Sequence, residues 1–277
     1  MESRTSACAH PTARRATPAA KDVVVLLHGS AGSSALWKAF RERLVLAYDV
    51  VAPDLIGYGD ANKWPEGRGL SLDDEVGRIE GRIPCCEGGF HLVGYSYGGA
   101  VALALALSQP ARIKSLTLVE PVLFSALEQA GETEAFAALR HVQARFAAGL
   151  TSGDVHRAMQ GFIDFWTGDG AWSRMPEKHQ QAALSMASKI RLDWEACFAF
   201  HPFPEDLRTI APRTALVRGD RSPQPMVRLV DALHRLMPGS ELNVVSGANH
   251  LLPITHQADL ADVLIGTLLA TQERGLR

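Results

Sequence analysis

Short runs of β-branched and apolar residues recur along this chain, and helical stretches separate most of them. The first run, DVVVLLHG, ends at a glycine and has the unbroken apolar character of a strand that is buried on both faces. The six runs cover residues 22–29, 48–54, 90–96, 113–121, 213–220 and 241–247. Strands that alternate with helices predict an α/β fold, with a mostly parallel central sheet and helices on both of its faces.

One long interval, residues 122–207, breaks this rhythm. It contains no strand-like run, whereas Ala, Leu, Gln and Glu recur there at helical spacing. We therefore predict that helices inserted between the fourth and fifth strands form a cap over one end of the sheet. The predicted organisation is a flexible N-terminal tail over 1–21, a core formed by 22–121 and 208–277, and a helical cap insertion over 122–207.

The stretch FIDFWTGDGAW, residues 162–172, is dense in aromatic side chains. Leaving such surface in water costs about 25 cal/mol per Å² of apolar area. We expect this stretch to lie over a pocket, with at least one of Phe165, Trp166 and Trp172 lining it. Packing between the cap helices would bury the same side chains equally well, and that alternative stays open.

Composition argues against several classes of partner. The 277 residues are 47% hydrophobic and 21% charged, which is ordinary for a soluble globular protein, and the formal net charge of -2 gives no reason to expect nucleic acid or an anionic membrane. The longest uncharged apolar run is far shorter than the roughly 20 residues of a membrane span, and the first twenty residues lack the apolar segment of a secretory signal. The 4 cysteines are too scattered for a disulfide framework. We expect a cytoplasmic protein whose oligomeric state is open.

Ser96 stands in the sequence GYSYG, where a predicted strand meets a predicted helix. The pattern matches G-x-S-x-G, in which flanking glycines let a serine sit on a sharp turn with its hydroxyl presented for attack. The helix that follows points its N-terminus at the serine and favours negative charge nearby. A glycine-rich strand-to-helix loop is the alternative, whereas the glycine spacing excludes a dinucleotide fingerprint and a P-loop. Ser96 is therefore a candidate nucleophile.

Four motifs, in this order, make the chain after the N-terminal tail resemble the α/β-hydrolase superfamily: LLHGSAGS, APDLIGYG, GYSYG and SGANHLLP. The resemblance implies that Ser96 is the nucleophile and His250 the catalytic base. It also implies that the backbone N–H groups of Ser30 and Tyr97 form an oxyanion hole. A serine hydrolase of this kind needs no metal and no cofactor.

The acid that would orient the catalytic histidine departs from the family's usual pattern. Most relatives place an aspartate three residues after a glycine at the end of the strand that precedes the last one. Here that glycine is Gly219 and the third position is Ser222. Asp220 lies nearby but two positions early, where Asp commonly closes a turn. Glu120 ends the strand next to the one that carries the serine, and the proline after it favours an extended backbone. We favour Glu120 over Asp220.

These features favour a serine hydrolase that cleaves a carboxylic ester or related acyl compound through an acyl-enzyme. The partner would be a small-molecule acyl substrate in a largely apolar pocket beneath the cap. Acyl transfer, carbon–carbon bond hydrolysis and lyase chemistry remain alternatives, since the same fold supports them. A small-ligand receptor with a vestigial triad is the alternative from another class of protein. Dehalogenases and epoxide hydrolases of this fold use an aspartate and are disfavoured, because residue 96 is serine.

Overall fold

The computed structural model describes residues 21–61, 63–65, 67–86, 88–210 and 213–272. Apart from Lys21, the predicted flexible tail over residues 1–21 lies outside these residues. The strands of the described chain are β1 (Asp22–Leu27), β2 (Tyr48–Val51), β3 (Phe90–Tyr95), β4 (Ile113–Val119), β5 (Thr214–Gly219) and β6 (Ser240–Val245).

Each of the apolar runs overlaps one of these strands, with β6 beginning one residue before its run, and all of the strands join a single sheet. Its order is β2-β1-β3-β4-β5-β6, and every neighbouring pair is parallel. This arrangement confirms the predicted α/β fold. Because all strands run the same way, their carboxyl ends lie along one edge of the sheet, where ligands bind in folds of this class.

Helices connect the strands. The α-helices of the described chain are α1 (Lys38–Leu44), α2 (Leu72–Glu80), α3 (Tyr97–Ser108), α4 (Ser125–Gln129), α5 (Thr133–Thr151), α6 (Val155–Thr167), α7 (Ala171–Arg174), α8 (Glu177–Ser185), α9 (Ala187–Ala199), α10 (Pro204–Thr209), α11 (Gln224–Leu236), α12 (Leu252–Thr255) and α13 (Gln257–Gln272). Among the described residues, no helix is both long and apolar enough to cross a membrane.

Alternate side chains of β1 face opposite sides of the sheet, as the two-residue period of a strand requires. Val23, Val25 and Leu27 pack into a core with α2, α3 and α11. Val24 and Leu26 pack into a second core with α1 and α13. Helices therefore cover both faces of the sheet, as predicted, and the strand interior is apolar on each side.

Between β4 and β5 the described chain forms helices α4 to α10. Their aromatic side chains pack on one another: the ring centroids of Trp166 and Trp194 lie 5.9 Å apart, and those of Phe162 and Trp194 also lie 5.9 Å apart. We call α4 to α10 the cap helices. Their division from the core at residues 122 and 207 stays a prediction.

Candidate active site

Ser96 sits on a strained turn between β3 and α3. Its backbone has a φ of 53° and a ψ of -118°, a conformation that costs roughly 1–3 kcal/mol and persists only because the surrounding structure imposes it. Glycines permit the turn: a Cβ on Gly94 would lie 2.3 Å from the Gly98 carbonyl oxygen, and a Cβ on Gly98 would lie 2.3 Å from the His28 carbonyl oxygen. The turn presents the Ser96 hydroxyl at the carboxyl edge of the sheet.

His250, in the loop between β6 and α12, joins Ser96 to Glu120. Its Nε2 lies 3.1 Å from Ser96 Oγ, and its Nδ1 lies 2.6 Å from Glu120 Oε2. Because the Glu120 carboxylate accepts a hydrogen bond, Nδ1 carries the proton and Nε2 presents its lone pair to the Ser96 hydroxyl. This is the tautomer that a general base needs.

Glu120 is fully buried, and its second carboxylate oxygen is also occupied. Oε1 accepts hydrogen bonds from the Gly219 N–H at 2.8 Å and from the Ser222 hydroxyl. Ser222 stands at the position that the resemblance assigns to the acid, and here its hydroxyl holds the glutamate instead. These donors, together with His250, offset the cost of burying the carboxylate. This role of Ser222 was not predicted from the sequence.

Asp220, the alternative acid, closes a turn at the end of β6. Its carboxylate accepts hydrogen bonds from the Gly247 N–H at 2.7 Å and from the Ser246 hydroxyl at 3.2 Å, and the residue is exposed. The structure therefore brings Glu120, and not Asp220, to His250. The catalytic role of Glu120 stays a proposal.

Backbone strain is concentrated at this site. Among the described residues, Ala31, Ser96 and Glu120 are the non-glycine residues with positive φ, at 57°, 53° and 44°. The prediction that Glu120, which precedes Pro121, has an extended backbone is therefore wrong. Its N–H donates to the Val217 carbonyl oxygen at 2.8 Å, and this bond, with those to its side chain, holds the residue in the less favourable conformation. Strain of this kind clusters at functional sites.

The loop after β1 packs directly on the Ser96 turn. A Cβ on Gly29 would lie 3.0 Å from Ser96 Cβ, and both Ser30 and Tyr97 line the same cavity as Ser96. Within the described chain, neither the Ser30 N–H nor the Tyr97 N–H donates to another protein group. Tyr97 begins α3, where the first N–H groups of a helix have no partner inside it. Both groups are available to a negatively charged oxygen, and their role as an oxyanion hole stays a proposal.

His28 fixes the shape of that loop. It is fully buried; its Nδ1 lies 2.8 Å from the Gly29 carbonyl oxygen, and its Nε2 accepts from the Leu55 N–H at 3.1 Å. Burial lowers the pKa of His28 to about 4, so at neutral pH the ring is uncharged and keeps the lone pair that Leu55 needs. His28 thereby ties the loop after β1 to the loop after β2.

A cavity of about 420 Å³ opens onto Ser96 and His250. Its walls are largely apolar, and the indole of Trp166 stacks on the His250 imidazole, with ring centroids 4.4 Å apart and 29° between the planes. The other apolar lining residues include Leu36, Val122, Phe124, Phe162, Ile163 and Met186. Of the three aromatics of which at least one was expected to line the pocket, Trp166 does so.

The other two candidates for the pocket lining, Phe165 and Trp172, do not line this cavity. Successive residues of a helix point about 100° apart, so Phe165 lines a second cavity, between α5 and α6, while its ring packs edge-to-face on that of Trp166 with centroids 4.9 Å apart. Trp172 is 2% exposed and donates from its indole N–H to His156 Nε2 at 3.4 Å. Packing between helices, the alternative kept open above, accounts for these two side chains.

Three ionisable side chains form a buried cluster beside the cavity that was not predicted from the sequence. The ammonium of Lys189 bonds to Asp193 and lies 3.3 Å from Glu75 Oε1. Burial raises the pKa of both carboxyls, although the Lys189 charge opposes the shift. The signal in the sequence is the i,i+4 spacing of Lys189 and Asp193 on α9, but such pairs also occur on exposed helix surfaces.

Comparisons with known proteins support the fold. A family model described as "Alpha/beta hydrolase family" matches residues 24–263. Among solved structures, the enol-lactonase from Burkholderia xenovorans LB400 superposes with a TM-score of 0.71, covering 90% of this chain and 92% of that one, at 16% sequence identity. At that identity, the likeness concerns the fold alone.

Two curated relatives match different shares of this chain. A pimeloyl-[acyl-carrier protein] methyl ester esterase from Yersinia pseudotuberculosis is 28% identical over 254 residues, which cover 87% of this chain and 91% of the relative. The dihydrolipoyllysine-residue acetyltransferase component of the acetoin cleaving system from Cupriavidus necator is 36% identical over 118 residues, which cover 42% of this chain and 30% of the relative. The chain thus spans less than a third of the length of the first relatives that it matches.

Proposed function

The chain belongs to the alpha/beta hydrolase family, and on that premise we propose that it hydrolyses carboxylic esters with Ser96 as the nucleophile. The observation that carries the proposal is the line of hydrogen bonds from Ser96 Oγ through His250 to the Glu120 carboxylate. A serine is a weak nucleophile unless an adjacent base takes its proton, and a base works best when a third group orients it.

In the first half of the reaction, His250 Nε2 takes the hydroxyl proton as Ser96 Oγ attacks the carbonyl carbon of the ester. The carbonyl oxygen becomes an oxyanion and accepts hydrogen bonds from the N–H groups of Ser30 and Tyr97. Each such donor contributes about 3–4 kcal/mol to stabilising the transition state. The tetrahedral intermediate then expels the alcohol, which takes the proton from His250 and leaves the acyl group on Ser96.

In the second half, water replaces the alcohol. His250 removes a proton from the water as its oxygen attacks the acyl carbon, and the same two N–H groups bind the new oxyanion. Collapse releases the carboxylic acid and returns the proton to Ser96. Glu120 stabilises the imidazolium that forms in both halves, because its negative charge lies 2.6 Å from Nδ1.

The cavity favours a neutral acyl group of small to medium size. Its volume of about 420 Å³ falls in the range of small-molecule sites, which is roughly 300–1,000 Å³. Among the described lining residues there is no Lys or Arg, whereas Asp193 is acidic. A carboxylate in the acyl chain would lose its hydration without gaining a partner of opposite charge.

A matched pair of substrates tests this assignment. Methyl hexanoate and monomethyl adipate have acyl chains of the same length, but the second ends in a carboxylate. We expect wild-type enzyme to hydrolyse both, with kcat/KM at least about 10-fold higher for methyl hexanoate, which corresponds to about 1.4 kcal/mol. Acid release in a pH-stat measures both rates, and an enzyme heated to unfolding is the blank.

Other outcomes of the same assay would contradict the proposal. A preference for monomethyl adipate would overturn only the assignment of a neutral acyl group and would leave the esterase proposal intact. Saturable binding of methyl hexanoate without turnover would favour the receptor. Inactivity on esters, together with cleavage of a carbon–carbon bond in a vinylogous diketone, would favour the carbon–carbon hydrolase.

Trp166 is expected to govern binding of the apolar acyl chain. Because its indole walls the cavity beside His250, Trp166→Ala removes apolar contact area and should raise KM for methyl hexanoate by about 10-fold. Trp172→Ala is the matched control, since Trp172 is another buried tryptophan of the cap helices, packs on His156 and does not line this cavity. Steady-state kinetics on the two variants decide the matter: equal KM values would mean that Trp166 acts only in packing.

A further inference from the structure

The carboxylate of Asp193 joins cap helix α9 to the loop that carries Ser30. Asp193 is 1% exposed and lines the cavity. Its Oδ2 accepts hydrogen bonds from the Ser30 hydroxyl at 2.6 Å and from the Tyr58 hydroxyl at 2.5 Å, and its Oδ1 accepts from the Lys189 ammonium. A residue of the cap thus holds the side chain of a residue in the core.

The same cluster reaches the second proposed donor of the oxyanion hole. Glu75 Oε1 accepts from the Tyr97 hydroxyl at 3.1 Å and lies 3.3 Å from Lys189 Nζ. The Lys189 ammonium also sits 4.7 Å from the centroid of the Tyr97 ring. One buried ammonium therefore links two carboxylates and, through them, the side chains of Ser30 and Tyr97.

The loop after β1 needs such a restraint. Ala31, which follows Ser30 directly, has a φ of 57°, and a non-glycine residue keeps that conformation only where its surroundings impose it. An oxyanion donor is effective only when it is aimed in advance at the position where the charge develops. A loop that relaxes would turn the Ser30 N–H away from that position.

We propose that Asp193 is a positioning residue for the oxyanion hole. It holds Ser30 so that the Ser30 backbone N–H faces the carbonyl oxygen of the substrate, and Lys189 keeps the Asp193 carboxylate in place. The proposal rests on the proposed function, in which that N–H binds the oxyanion. The packing of α9 against the core then contributes to the catalytic geometry. Helix α9 also forms part of the cavity wall.

Two single variants, Ser30→Ala and Asp193→Ala, each remove one partner of the hydrogen bond between these residues. Ser30→Ala keeps the backbone N–H and the Asp193–Lys189 pair, so it tests the proposal even where Asp193→Ala fails to fold. We expect each variant to lower kcat on methyl hexanoate by about 10- to 100-fold, with KM within about 2-fold of wild type. Asp193→Asn should recover part of the loss, because its amide oxygen still accepts from Ser30.

A trifluoromethyl ketone gives a readout that a merely structural role would leave unchanged. Ser96 Oγ adds to the carbonyl carbon of the ketone and forms a tetrahedral oxyanion. The affinity of the enzyme for the ketone should therefore fall by the same factor as kcat in both variants. The double variant Ser30→Ala/Asp193→Ala should be no slower than the slower single variant, because each single variant already removes the hydrogen bond between Ser30 and Asp193. Asp164→Asn is the control, because Asp164 accepts from the Trp172 N–H within the cap and should leave kcat and ketone affinity unchanged.

The outcomes separate this proposal from the one on which it rests. Additive losses in the double variant, unchanged ketone affinity, or an equal loss in Asp164→Asn would overturn the role of Asp193 while leaving the esterase assignment intact. Wild-type enzyme that neither hydrolyses methyl hexanoate nor binds the ketone would overturn both.

Discussion

Replacing Ser96 with alanine is expected to lower kcat on methyl hexanoate by about 10⁶-fold, the scale seen when the nucleophile of a serine hydrolase is removed. The substitution deletes one oxygen and leaves the hydrogen bond between His250 and Glu120 in place. The base then has no hydroxyl to activate, so an acyl-enzyme cannot form. Turnover should fall to the residual rate that binding and the oxyanion donors support.

Ser115→Ala is the matched control for this loss. Ser115 is another buried serine of the sheet, 2% exposed, and its hydroxyl lies 2.8 Å from His91 Nδ1, away from the cavity. We expect Ser115→Ala to keep its kcat within about 2-fold, with thermal unfolding recorded for both variants. Full activity in a folded Ser96→Ala protein would remove Ser96 from the mechanism.

Glu120→Gln is expected to lower kcat by up to about 10⁴-fold, as in the comparable substitution of a serine protease. A glutamine amide can donate to Nδ1 of His250, which favours the tautomer whose proton lies on Nε2 and which cannot act as a base. The amide also carries no charge to stabilise the imidazolium. Because the side chains have the same shape, the hydrogen bond from the Gly219 N–H to Oε1 can persist and the fold should hold.

Asp220→Asn tests the other carboxylate in the same assay. Asp220 accepts from the Gly247 N–H and the Ser246 hydroxyl, so its substitution disturbs an exposed turn and should reduce kcat only mildly. The ratio of the two kcat values, measured on folded proteins, decides the assignment. A larger loss for Asp220→Asn than for Glu120→Gln would transfer the role of the acid to Asp220.

The sheet and the serine turn follow from local patterns, which is why they are predictable from sequence. A parallel strand buried on both faces must be apolar at nearly every position, as the run from Val23 to Leu27 is. A sharp turn between strand and helix needs glycines at fixed offsets, as Gly94 and Gly98 show. The contact between Glu120 and His250 joins residues 130 positions apart, and the sequence could only rank Glu120 above Asp220.

Features that depend on side-chain direction and long-range contact could not be predicted from the sequence. The bond between Ser30 and Asp193 spans 163 positions, and nothing near either residue signals the other. Aromatic residues at neighbouring positions of α6 look equivalent in the sequence, yet Trp166 faces the cavity and Phe165 does not. The positive φ of Glu120 also overrides the local preference of a residue before proline, because tertiary hydrogen bonds hold it.

Labelling with a fluorophosphonate probe tests the central claim, that Ser96 is an activated nucleophile, most directly. The probe phosphonylates a serine only where a base has made its hydroxyl reactive. Peptide mass spectrometry of labelled wild-type protein should find one modified residue, Ser96, and Ser96→Ala protein should remain unlabelled. Labelling that persists in the Ser96→Ala variant, or that falls on another serine of the wild-type protein, would contradict the account.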